Sequence, residues 1–145
     1  MLPTHLRKNG PPPMEHAALI YTMVIMSAAD SDMTDKELFT IGDIIQTIPA
    51  FEDFDPELLP RTAEDCAGLL GEENGLDTVI GFIDQNLPDN LRETAYVLAC
   101  EIAASDGHLQ PEELRLLEIL RHSLKIGRLP AAAIERCVRA RYQRA

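Results

Sequence analysis

A chain that writes one helix–turn–helix phrase twice is constrained to fold as two similar halves. Ala28-Ala29-Asp30-Ser31-Asp32-Met33-Thr34-Asp35-Lys36-Glu37-Leu38 returns as Ala104-Ser105-Asp106-Gly107-His108-Leu109-Gln110-Pro111-Glu112-Glu113-Leu114. In each copy an apolar run ends on an Asp and a short turn follows. An apolar residue stands at Asp+3, and an acid at Asp+7 is followed directly by Leu. Between 17–41 and 93–117 the identities are few: Ala28/Ala104, Asp30/Asp106, Glu37/Glu113 and Leu38/Leu114. They nonetheless include both acids, and apolar class agrees at pairs such as Ile20/Tyr96, Met26/Ile102 and Ile41/Leu117. The expected result is a pseudo-twofold helical domain whose two acidic turns converge, and any chemistry would sit there.

The rest of the chain reads as helix. With 46% hydrophobic residues, no Trp and 5% aromatics, the core must be built from Leu, Ile, Ala, Val and Met, a mixture suited to close-packed helices rather than a sandwich. At 145 residues one domain can bury a core without metal or disulfide staples. Residues 1–13, with Pro11–Pro13, read as a flexible lead-in, and 14–145 as the helical domain. Seven helices are expected. The first runs from Met14 to about Ala29, apolar all round after His16 and so central. The second runs from Thr34 to about Thr47, where Pro49 stops it, and the third from Asp55-Pro56 to about Leu70. The fourth opens at Asn74-Gly75, the fifth spans Asn90–Ala104, the sixth starts at Gln110-Pro111 and the seventh at Leu129-Pro130. No strand pair is expected.

Charge and cysteine usage limit the partners. A net charge of −11 opposes nucleic acid and anionic membranes and suits cations or a basic protein partner. Cys66, Cys100 and Cys137 are odd in number and outside any CxxC pattern, so buried free thiols in a reducing, cytoplasmic setting are expected. No run approaches the ~18 apolar residues of a membrane span, and no signal peptide is expected. GxxxxGK[ST], GxGxxG, HExxH and GxSxG are all absent, and neither acidic turn fits an EF-hand loop.

Two readings of the acids stay open. Asp30 and Asp106 fall where a helix should end, a poor place for an anion, so something must offset them. Amides of the turn could do so. Glu37 closes a capping box with Thr34; Gln110 is a poorer cap, yet Glu113 persists there. Alternatively, Asp30, Glu37, Asp106 and Glu113 surround one cation, because four close carboxylates cannot all stay ionised unaided. An all-oxygen site prefers Ca²⁺, Mg²⁺ or Mn²⁺ over Zn²⁺. Asp32 and His108, both at Asp+2, would be outer ligands.

These turns, with the apolar helix before the first and the Ala-x-Asp-Gly-x-Leu phrase of the second, resemble the TerB family of tellurite-resistance proteins and TerB-like domains, over about His16 to Cys137. The resemblance implies about seven helices with internal pseudo-symmetry and a metal-chelating acidic cluster. That role carries onto Asp30, Glu37, Asp106 and Glu113, with Asp32 a weaker addition. Ser31 departs from the family's Gly. The implied function is a non-enzymatic, metal-binding stress-response module working through protein partners. A plain interaction or scaffold domain is the alternative, a metal-dependent hydrolase a third reading, and a homo-oligomer is permitted.

Overall fold

An apolar run with no polar side cannot face water, so its helix must be enclosed. In the computed structural model, which describes residues 11–27, 33–105 and 110–145, α1 (Met14–Ser27) is buried at every position from His16 to Met26. α5 (Arg92–Ser105), the matching helix of the second half, is buried from Ala95 to Ala103 except at Val97. α1 and α5 make the most extensive helix–helix contact in the molecule. The remaining helices surround this pair: α2 (Asp35–Ile45), α3 (Leu59–Leu70), α4 (Gly75–Asn86), α6 (Pro111–Ser123) and α7 (Arg128–Arg141). Each turns an apolar stripe inward, as with Leu59, Thr62, Ala63, Cys66 and Ala67 on α3. No strand occurs among the described residues, and no described helix is long and apolar enough to cross a membrane.

The two halves share part of one packing scheme. α3 lies against α1 as extensively as α7 lies against α5, whereas α2 packs on α1, α3 and α5, and α6 on α5 and α4. α4 breaks the symmetry, covering α1 and α3, where Phe82 stacks on Tyr21 at 4.8 Å between ring centroids.

Helix boundaries follow the caps. Thr34, Asp55 and Gly127 are the residues that precede helical turns, and Pro111 stands at the first turn of α6, where its missing N–H is no loss. Two starts differ from expectation because short 3₁₀ turns intervene, Pro56–Leu58 before α3 and Asp89–Leu91 before α5; a further 3₁₀ turn, Pro49–Phe51, lies in the connector after α2. Of residues 1–13, only 11–13 are described. The Pro13 carbonyl accepts from the Ala17 amide at 3.0 Å, in the first turn of α1. The expected burial holds for Cys66 and Cys100, but Cys137 is exposed. The neighbouring Val138 takes the inward position on α7, and the next residue of a helix points about 100° away.

Candidate functional site

Of the five acids singled out, two are described. Glu37 sits at the third position of α2 and closes the capping box expected of Thr34. Its Oε1 accepts from the Thr34 amide at 3.0 Å and from the Thr34 hydroxyl at 2.8 Å, and the hydroxyl accepts from the Glu37 amide at 3.1 Å. All of these bonds to the carboxylate fall on Oε1. Oε2 has no hydrogen-bond partner among the described residues. Glu113 occupies the same place on α6, and its Oε1 lies 3.4 Å from the Gln110 amide. The second box is therefore stretched rather than lost, a correction to the expectation that Gln110 would degrade it. Asp30, Asp32, Asp106 and His108 lie outside the described residues. Among the described residues, no group of three or more His, Cys, Asp or Glu side chains could hold a metal.

A second feature lies between α5, α6 and α7: a half-open groove of about 490 Å³. Ala103, Leu117 and Val138 give it an apolar floor, and Glu118, Arg121, Glu135 and Arg139 ring it with charge. In its wall the Tyr96 hydroxyl donates to Glu135 at 2.6 Å. Burial, aided by that bond, raises the Tyr96 pKa well above its usual range. Burial also pushes the adjoining Cys100 thiol up to about 12, so it stays protonated near neutrality. Outside the groove, buried Glu101 is paired at 2.9 Å with Arg141, which is itself largely exposed.

Two polar residues that the sequence left unassigned prove structural. His16 is buried against Phe51 and Phe54, with Nε2 2.8 Å from the Ala50 carbonyl. Arg92 joins three elements, donating to the Asp84 carboxylate at 2.9 Å, the Asp84 carbonyl at 2.9 Å and the Ser123 carbonyl at 3.4 Å.

The fold defines a class: an all-helical module built from two helix–turn–helix units around a buried central pair, with a Glu closing the first turn of each second helix. The family model described as tellurite resistance protein TerB matches residues 16–136, nearly the whole helical region. The chain belongs to the TerB family. No curated protein and no solved structure matches it.

Proposed function

We propose that this TerB-family chain is a non-enzymatic module that binds a divalent cation through its acidic turns and acts in a tellurite-type stress response through protein partners in the cytoplasm. Asp30, Glu37, Asp106 and Glu113 are the ligands, with Asp32 a further donor. The observation that supports this reading most is at Glu37, whose cap uses one carboxylate oxygen and leaves the other available. A second support is that α1 and α5, which lead into the two turns, form the central helix contact. Oxygen donors of this kind suit Ca²⁺, Mg²⁺ or Mn²⁺ better than Zn²⁺. When bound, the ion would offset carboxylate repulsion and hold the two halves in one arrangement, giving a partner a surface that depends on the ion.

The competing reading, a plain interaction domain whose acids only cap helices, draws on the same Thr34–Glu37 box. Thermal melts of wild type and Asp106→Asn, in chelator and in each ion, separate the two. A cation site predicts that one ion raises the wild-type Tm, that Asp106→Asn abolishes the rise, and that the same change stabilises the apo protein by relieving repulsion. A capping role predicts a loss of ~0.5–1.5 kcal/mol, equal with and without ion. That equality would end the metal reading. Turnover of a phosphoester panel by the ion-loaded protein would instead favour a metal-dependent hydrolase.

A further inference from the structure

The second repeat departs from the first between its outer helices. In the first, Gly42 on α2 faces Leu59 of α3: a Cβ there would lie 3.6 Å from Leu59 Cδ2, an ordinary contact. Ile45 is buried one turn further on. At the same register the second repeat carries Glu118 and Arg121, both of which line the open groove between α6 and α7. Leu114 is left 52% exposed at its edge, and Arg139 has no hydrogen-bond or ion-pair partner among the described residues. Charge is divided the same way. Residues 111–145 hold eight basic residues and four acidic, while 14–110 hold three basic and twenty acidic.

The first repeat presents the complementary shape. Phe39 on α2 is 70% exposed. Asp35 and Asp43 lie one turn to either side of it on the same helix face, both exposed. A bare phenyl ring flanked by carboxylates suits an apolar floor whose rim carries Arg121 and Arg139 beside Glu118 and Glu135, in a segment of net positive charge.

We propose that the α5–α6–α7 groove is filled by α2 of a second copy of this chain. Phe39 enters the apolar floor, and the flanking aspartates meet Arg139 and Arg121, whose guanidinium also donates to the Ile126 carbonyl at 3.2 Å. Knob and groove are different surfaces of the chain, and in the arrangement proposed each copy gives its knob to one neighbour and its groove to another, a heterologous contact that builds rings or open chains. The association weakens as salt rises, because its charged rim is solvent-exposed. It does not require the acidic turns to hold an ion.

Sedimentation velocity of the full chain across a wide concentration range tests this with two variants at exposed positions, Phe39→Ala (knob lost, groove intact) and Arg139→Glu (groove impaired, knob intact). Leu114→Gln serves as a second groove variant, and thermal melts establish that each folds. Wild type is expected to gain mass with concentration beyond a dimer, and each variant alone to remain a monomer. An equimolar mixture of Phe39→Ala and Arg139→Glu should form a dimer and stop there, since only one productive contact remains. Wild type that stays monomeric throughout overturns the proposal and leaves the groove to another occupant. Variants that associate as wild type does, or a mixture that stays monomeric, overturn it equally.

Discussion

Replacing Glu37 by Gln separates the two roles open to its carboxylate. A glutamine at the third helical position still offers an oxygen to the N-cap amide. The bonds that Oε1 accepts from Thr34, at 3.0 Å and 2.8 Å, can therefore persist. What is lost in the apo protein is the attraction of a negative charge to the positive end of α2, about 0.3–0.5 kcal/mol for an exposed site. Glu37→Ala removes the reciprocal half of the box as well and costs about 1 kcal/mol. In a chain of this length that is about 3 °C in Tm. A cation present at about a hundredfold its Kd adds ~2.7 kcal/mol to wild type. If Glu37 ligates, both variants forfeit much of that gain. Melts in chelator and in saturating ion, with denaturant titrations to fix the free energies, should then give a distinct pattern. The Gln variant stays near wild type in chelator and rises little with ion, while the Ala variant starts lower and also rises little. A Gln variant that keeps the full ion-dependent rise removes Glu37 from the ligand set. A Gln variant as destabilised in chelator as the Ala variant refutes the assignment of Glu37's structural role to its capping oxygen.

Gly75→Ala should be severely destabilising, by ~3 kcal/mol or more in urea melts, because its Cβ would meet the Leu69 and Leu70 backbone, which cannot move aside like a side chain. Gly68→Ala and Gly81→Ala, where a Cβ meets nothing within 4 Å, should each stabilise by about 0.5–1 kcal/mol through helix propensity. A disulfide reagent at neutral pH should modify exposed Cys137 quickly, and Cys66 and Cys100 only on unfolding, since burial holds both buried thiols up at about 12. The native state keeps those two protons where the unfolded chain loses them, so stability should be unaffected by these thiols below about pH 9 and fall as pH rises from 9 towards 12. Tyr96→Phe deletes the 2.6 Å bond to Glu135 and should cost about 1 kcal/mol in chemical denaturation.

Much of the architecture could be read from single residues because the relevant physics is local. The apolar run after His16 requires an enclosed helix whatever surrounds it, and Thr34 with Glu37 specifies a helix start within four residues. The 3₁₀ turns before α3 and α5 were hidden because Asp55-Pro56 and Pro88-Asp89 open a 3₁₀ turn as readily as an α-helix. His16 was opaque for a different reason. Its partner, the Ala50 carbonyl, is 34 residues away, and only the folded chain shows that one nitrogen of the buried imidazole finds a bond there. Of the candidate metal ligands, the sequence read Glu37's cap correctly and underrated Glu113's, since a glutamine N-cap has a weak propensity but the Gln110 amide still needs an acceptor.

The groove, by contrast, left a sequence signal that the repeat itself could have revealed. A faithful duplication would place apolar or small residues at every position that packs one helix on the next. Setting Ile41, Gly42 and Ile45 beside Leu117, Glu118 and Arg121 shows one position conserved in character and two converted to charge. Charged residues at sites whose counterparts touch a neighbouring helix cannot be buried unpaired, so the second repeat has to open where the first is closed. Divergence between repeats thus carries different information from their agreement. The shared Asp and Glu mark what both halves need, and the changed positions mark where one half has been released from packing and can meet something outside it.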